Sequence, residues 1–459
     1  MIVMKFGGTS VGNSEAIRRV GDIIKSRLER KPVVVVSAVS GITNKLVRLG
    51  QISAEKNHVL ATETIEEIRK AHATIISELE IGGDAEIQKA FPEAIDYLTD
   101  LSDRLLRAGD LVKHLVDELL SIGEFLSANI VSAYLRSAGI SSRFADSREL
   151  VSTDSRFGRA LVLKEETQQN IKEKLLPVVS TSVPIIQGFI GKDSFGRTTT
   201  LGRGGSDYSA TFIGALIDAE AVEIWSDVDG ILTADPSLVP NAKRIRKMSF
   251  QEAAELAYFG AKVLHPATLL PAIEKDIPVY VLNSMRPEDS GTKISKSSDG
   301  NGKNNGVVKS IAYKEGLIVI TVTSSRMLMA HGFMSSIFEI FDRYQTPVDL
   351  VSTSEVSVSM TIDQVERLED IHRELLRFAQ VKIEENKAIV SLVGEKMKST
   401  PGMPAKVFGF LTDIPIHLIS QGASEINISF VIDEANLPVV INRLHDKLFS
   451  GTLNPELFG

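Results

Sequence analysis

Four consecutive valines, Val33 to Val36, most constrain what this chain can fold into. β-Branched side chains are stiff at χ1 and suit strands, and a run without polar alternation implies a strand covered on both faces. Such strands belong to parallel sheets packed between helices. A second run, Ile2 to Phe6, is apolar except for Lys5 and breaks at once into Gly7-Gly8-Thr9-Ser10. Short runs recur at Val183 to Phe189, Ala221 to Trp225 and Ile277 to Leu282. Between them, Leu98, Leu101, Leu105, Val112, Leu115, Val116 and Leu119 fall largely at helical spacing, and residues 55–120 read as almost wholly helical. The expectation is an α/β domain over residues 1–285: a mostly parallel sheet sandwiched by helices, with a helical excursion after its second strand.

Residues 286–312 read as a linker. Arg286-Pro287-Glu288-Asp289-Ser290-Gly291 and the later Ser297–Gly306 stretch are rich in Gly, Ser, Asn and Asp and poor in apolar residues. The remainder of the chain is repetitive. Met334–Asp363 aligns with Pro404–Asp433, so that Phe338 matches Phe408, Pro347 matches Pro415 and Ser354-Glu355 matches Ser424-Glu425. Each copy opens on an apolar strand, Leu317 to Thr323 or Ala388 to Val393, then reads as a helix, two alternating strands and a second helix. Two α+β modules are expected, over residues 313–386 and 387–459, with a C-terminal strand able to return to the first. Units this short expose sheet edges and an apolar face, so each needs a neighbour or a second subunit.

The totals narrow the function. The 459 residues carry a formal net charge of -8, which argues against a nucleic-acid surface. Cysteine is absent, which removes disulfides, thiolate metal sites and a cysteine nucleophile. The eight histidines form no His-x-x-x-His pair, so no protein metal site is expected. No apolar stretch is long enough to span a bilayer and no signal-like segment opens the chain, so the expected compartment is the cytoplasm.

Several clusters could carry chemistry. Lys5 followed by Gly7-Gly8 delivers a cation and a bare backbone to one point, which suits an anion such as phosphate. Ser37 to Asn44 comes directly after the valine strand, at the place where open α/β sheets bind ligands. Glu124 is a lone acid between Ile122-Gly123 and Phe125-Leu126. Thr200-Leu201-Gly202-Arg203-Gly204-Gly205-Ser206-Asp207 combines glycines with a planar guanidinium suited to carboxylate or phosphate, and Ser206 or Asp207 could also cap the next helix. Glu223 to Ile231 ends a strand in Asp227-Val228-Asp229-Gly230, and Phe259 to Pro266 sets Lys262 among apolar neighbours. Neither a P-loop nor a Gly-x-Gly-x-x-Gly fingerprint is present, so any nucleotide is held by another α/β scheme.

Taken in order and spacing, Lys5–Ser10, Gly41–Asn44, Gly123-Glu124, Thr200–Asp207 and Phe259–Pro266 resemble the aspartokinase family, over essentially the whole chain. The resemblance implies an amino-acid-kinase fold followed by tandem ACT domains. It implies transfer of a phosphoryl group from ATP, with Mg²⁺, to the β-carboxylate of L-aspartate, the step that opens lysine, threonine and methionine synthesis. By that analogy Lys5, Gly7 and Gly8 meet the ATP phosphates and Asp207 organises Lys5 and the reacting centre. Thr43, Glu124, Arg203 and Ser206 match aspartate-binding positions. Ser226, Asp227, Lys262 and Val263 match nucleotide-binding positions, while Leu232 and Ser237 stand where the family usually has tyrosine and arginine. Met327, Gly332, Asp349, Thr353 and Ser354 match the effector positions of lysine-sensitive members. Lysine, threonine or no effector stay open, and a homodimer or homotetramer through the ACT domains is implied. Other kinases of the same fold, acting on glutamate, acetylglutamate or a nucleoside monophosphate, and a non-catalytic amino-acid sensor are the alternatives. A fused dehydrogenase is disfavoured because the repeats run to Gly459.

Overall fold

A computed structural model describes residues 1–260, 266–296, 308–327, 331–363, 365–451 and 453–459. The chain divides into two compact units, one of Met1–Ile231, Arg246–Phe250 and Val263–Ser298, the other of Leu232–Ile245, Gln251–Lys262 and Asp299–Gly459.

The first unit is built on an eight-stranded sheet. Its strands are β1 (Ile2–Phe6), β2 (Pro32–Val36), β3 (Ser142–Ala145), β5 (Val183–Gln187), β8 (Ala221–Ser226), β9 (Lys247–Ser249), β10 (Val279–Asn283) and β11 (Thr292–Ser295). A second, three-stranded sheet holds β4 (Ser152–Thr153), β6 (Ile190–Asp193) and β7 (Thr198–Thr200). The large sheet runs β3-β5-β2-β1-β8-β10-β11-β9 and is parallel except where β10 meets β11. Every residue of β1, β2 and β5 is buried, as the unbroken apolar runs require. The helical excursion comprises Ile42–Ala54, His58–Glu78, Ala85–Ala108 and Lys113–Ser137, whose inward faces share one core with β1 and β2. β1 lies between β2 and β8, so the chain departs to opposite sides of it. In open α/β sheets that switch point, at the carboxyl ends of the strands, is where a crevice opens.

The second unit carries a six-stranded antiparallel sheet of β12 (Val308–Thr323), β13 (Val351–Thr353), β14 (Ser357–Ile362), β15 (Gln380–Gly394), β16 (Leu418–Gln421) and β17 (Asn427–Asp433), in the order β13-β14-β12-β15-β17-β16. The two repeats are visible in it. Gly332 and Gly402 hold equivalent positions, each in the left-handed region (φ 82° and 77°) at the start of the helices Phe333–Arg343 and Met403–Gly409. β12 and β15 are long enough to serve both repeats. The Ile318–Thr323 part of β12 pairs with β14, and its Val308–Lys314 half pairs with the Ile389–Gly394 half of β15.

Two expectations change. The linker is interrupted by structure, because Thr292–Ser295 joins the large sheet beside β9 and β10, and β12 begins at Val308. Among the described residues no strand comes after the Leu437–Phe449 helix, and the tail makes one bridge, Phe458 to Ile245. The fourth strand of the second repeat comes from Val308–Lys314 instead, upstream of the first repeat.

Candidate active site

A cleft of ≈ 530 Å³ opens in the first unit at the carboxyl ends of β1, β2 and β5. Lys5, Thr43, Glu124, Arg203, Ser206 and Asp207 all line it, together with Ser37, Asp117, Phe189 and Thr200. Residues far apart in sequence, from Lys5 to Asp207, are thus brought to one place.

β1 delivers Lys5, whose Nζ lies 2.6 Å from Asp207 Oδ1. Gly7 continues the strand by donating its N–H to Trp225 O (3.0 Å), and a Cβ on it would sit 3.6 Å from Lys5 Nζ. At Gly8 a Cβ would come within 2.9 Å of Ala38 O, so this turn passes the end of β2 too closely for a side chain. The glycines therefore keep main chain, not side chain, beside the lysine.

Glu124 enters on the Lys113–Ser137 helix. Gly123 lets that helix press on the end of β2, since its Cβ would lie 2.8 Å from Ala38 Cβ, and Ser127 ties the next turn to Ser37 O (2.7 Å). Glu124 is 4% exposed, and its Oε2 has no hydrogen-bond partner among the described residues. Burial pushes its pKa up to about 8, against opposing hydrogen bonds from the N–H groups of Ala38 and Glu124 itself. An approaching cation would favour the ionised form of this buried carboxyl.

The Arg203 loop leaves β7 through Gly202 (φ 79°) and enters the Gly205–Leu216 helix through Gly204 (φ 72°). Gly204 is the cap and no side chain caps this helix, so neither Ser206 nor Asp207 is used as a capping group. Both are left for the cleft. Ser206 packs so closely on Gly188 that a Cβ there would meet Ser206 Cβ at 2.6 Å. Phe189 comes next with φ 71°, a backbone conformation that a bulky residue rarely takes outside functional or strained places.

Asp117 and Phe189 are among the lining residues that escape sequence reasoning. Asp117 is a buried acid on the same helix as Glu124, and its position about two turns before Glu124 is the one signal that marks it. Phe189 has none, because its strain comes from a turn that local composition does not mark.

The expected nucleotide positions are divided between the two units. Ser226 ends β8 in the first unit and Asp227 follows it, with Ser226 O accepting from Ser284 N (2.8 Å). Leu232 and Ser237 belong to the second unit, where Ser237 donates from N and Oγ to Asp235 Oδ1 (2.8 and 2.6 Å). Lys262 and Val263 lie outside the described residues. In the second unit Met327 ends a short turn, Gly332 starts a helix, Thr353 ends β13, and Ser354 Oγ meets Ser357 Oγ at 2.8 Å. Asp349 is already engaged: Lys314 Nζ sits 2.9 Å from both its oxygens and 2.8 Å from Asp363, and Tyr258 OH donates to it at 3.0 Å. Burial opposes the charge on Lys314, but hydrogen bonds to Asp363 and Asp349 outweigh it and raise its pKa.

A parallel sheet with a lysine and two glycines at its central switch point, facing a buried acid and a guanidinium, agrees with the family to which the sequence belongs. The amino acid kinase family pattern matches residues 1–283 and an ACT domain pattern matches residues 390–448, and the chain belongs to the amino acid kinase family. Within it the chain groups with the aspartokinases, which are phosphotransferases. Lysine-sensitive aspartokinase 3 of Escherichia coli (strain K12) is 37% identical over 457 residues, covering 98% of this chain and 99% of its own. Aspartokinase 1, chloroplastic, of Arabidopsis thaliana is 36% identical and covers 99% of this chain and 81% of its own. The crystal structure of E. coli aspartokinase III in complex with aspartate and ADP superposes with a TM-score of 0.85 at 37% identity, over 98% of this chain and all (100%) of the other. The lysine- and aspartate-bound form of that enzyme gives 0.80 at 38% identity, over 98% and 99%. No helix among the described residues is long and apolar enough to cross a membrane.

Proposed function

We propose that the chain transfers the γ-phosphoryl group of ATP to the β-carboxylate of L-aspartate. The observation that carries this reading is the single cleft joining the Lys5–Asp207 pair to Glu124, Arg203, Thr43 and Ser206. The acceptor is a zwitterion with two carboxylates. Buried Glu124 suits its ammonium, Arg203 its α-carboxylate, and the Thr43 and Ser206 hydroxyls its remaining polar edges.

A β-carboxylate in water titrates at about 3.9, so the acceptor arrives ionised and needs no base. One of its oxygens attacks the γ-phosphorus; the bond from that phosphorus to the bridging oxygen breaks, and ADP leaves with the electron pair. No proton moves. The remaining demand is alignment and neutralisation of charge spread over the phosphoryl oxygens. Lys5 Nζ meets that charge, with the main-chain N–H of Gly8 beside it, while the Gly7 N–H is held by Trp225 O and Asp207 fixes the lysine. Mg²⁺ takes one or two carboxylates and completes its shell with phosphates and water, and Asp207 lines the cleft as one such carboxylate. Asp207 would hold such an ion, which would supply further neutralisation of phosphate charge when bound.

The regulatory half obeys the same chemistry. Sheet edges at β13 and β16 favour assembly of a homodimer or homotetramer. Met327, Gly332, Asp349, Thr353 and Ser354 are the positions for a lysine or threonine effector, whose ammonium would have to displace Lys314 at Asp349. The cytoplasm is the proposed compartment.

Trapping tests the catalytic reading. Incubation with ATP, Mg²⁺ and hydroxylamine should give a coloured hydroxamate with L-aspartate and none with L-glutamate or acetylglutamate. ADP release without hydroxamate would refute acyl-phosphate formation. Lysine or threonine added to the same assay reads the effector.

A further inference from the structure

Asp117 is an acid that the reaction does not call for. It lies in the Lys113–Ser137 helix among Leu115, Val116 and Leu119, and it is 2% exposed. Burying a carboxylate is costly unless donors are supplied. Here they are main-chain donors from two separate segments: Asp117 Oδ2 accepts from Gly158 N (2.9 Å) and from Thr200 N (2.8 Å).

Both segments lead to Arg203. Thr200 is the last residue of β7, just ahead of the arginine's loop, and its carbonyl accepts from Ala160 N (2.9 Å). Gly158 O would lie 3.1 Å from a Cβ on Gly202. The 158–160 turn and the root of the glycine-rich loop are thus tied to each other, with Asp117 at the tie. Arg203 itself is exposed and has no ion-pair partner among the described residues, so its backbone alone aims it. That backbone passes through Gly202 and Gly204, both with positive φ, where intrinsic restraint is least. Glu124 lies about two turns along the same helix, on the face that lines the same cleft.

We propose that Asp117 is a positioning residue: by holding the Gly158 and Thr200 N–H groups it sets the span between Arg203 and Glu124, and so the length of amino acid the site accepts. A rigid helix carries both reference points. Glu124 receives the ammonium directly, and Asp117 fixes how far away the guanidinium stands. This rests on the aspartate kinase reading, with Arg203 and Glu124 holding opposite ends of the acceptor.

Two measurements test it on the full chain. In the hydroxamate assay, Asp117→Ala should raise the KM for aspartate about tenfold or more, leave that for ATP within about twofold, and narrow the preference for aspartate over glutamate. Asp117→Asn keeps one acceptor oxygen and should fall between wild type and alanine. Hydrogen–deuterium exchange needs no activity. The amides of Gly158 and Thr200 should exchange faster in both variants, most in alanine, while those of β1 and β2 stay as in wild type. Equal rises in both KM values, an unchanged KM for aspartate, or unchanged exchange at Gly158 and Thr200 would overturn the proposal. If Asp117→Ala does not fold, Asp117→Asn must show the same KM split and exchange pattern in smaller measure. Failure of wild type to yield hydroxamate would instead count against the kinase reading, and the exchange data would then decide on the tie itself.

Discussion

Docking an ammonium against Glu124 should expel a proton. Without ligand this carboxyl is enclosed, has one oxygen without a partner among the described residues, and titrates at about 8. At neutral pH it is therefore mostly protonated, and the substrate cation must recruit the ionised form. If the bound pair stays ionised throughout, aspartate affinity should rise about tenfold from pH 6 to 7 and about fivefold from pH 7 to 8, then level off. Calorimetry in two buffers of different ionisation enthalpy should report release of about 0.9 proton per aspartate at pH 7. Glu124→Gln should bind aspartate weakly, with neither the pH slope nor the proton release, while its KM for ATP changes far less. The same group marks the free protein. Its folded pKa is raised above the ordinary value of 4.5, so its contribution to stability is fully present below that pH and is lost as pH rises through about 8. The full loss is about 5 kcal/mol. Glu124→Gln, neutral at every pH, should therefore gain stability relative to wild type between pH 5 and pH 9 in denaturant titrations. An aspartate affinity that is flat from pH 6 to 8, or an identical slope in Glu124→Gln, would refute the reasoning.

Other perturbations have outcomes set by the geometry. Lys5→Met should lower kcat about 10²–10³-fold with aspartate binding preserved, because a cation aimed at the transferring phosphoryl group acts chiefly in the transition state; this is read by trapping at saturating substrates. Lys309 and Glu252 form an ion pair 2.9 Å long, with both side chains 0% exposed, and Lys309 also meets Glu395 at 3.2 Å. Removing one partner from such a pair leaves a buried charge, so Lys309→Met should cost about 3–5 kcal/mol in unfolding experiments. Lys314→Met empties the place beside Asp349 that an effector ammonium would take, and should lower the lysine or threonine concentration giving half-inhibition.

The valine run is legible because burial on both faces leaves no other pattern, and β2 sits between β1 and β5 with all of its residues buried. The apolar run Val183 to Phe189 overstates its strand. The strand ends at Gln187, and Phe189 takes a positive φ that its apolar character cannot announce. Lys5, Glu124 and Arg203 are legible because each is a charge set among apolar or glycine neighbours. Asp117 is not, since its partners are main-chain groups 41 and 83 positions away, and backbone amides have no sequence identity. Composition favours capping by Ser206 or Asp207, but Gly204 occupies the cap and the loop turns through its positive φ instead. The strand β11 is hidden because Thr292–Ser295 is only 4 residues long and sits inside a stretch otherwise made of turn formers.

The two long strands of the second unit make chain order a poor guide to modular boundaries. A cut between the repeats near residue 386 would part β12 from most of its partner β15 within one hydrogen-bonded ladder, leaving the downstream fragment without Val308–Lys314 and the upstream one without Ile389–Gly394. Neither fragment would own a complete sheet. Anyone grafting the regulation of one such enzyme onto another must therefore transplant an interleaved set of segments: the second repeat travels with a strand that precedes the first. By the same token, a duplication or loss of a single repeat could not occur by simple excision. The pair is transferable only as a whole.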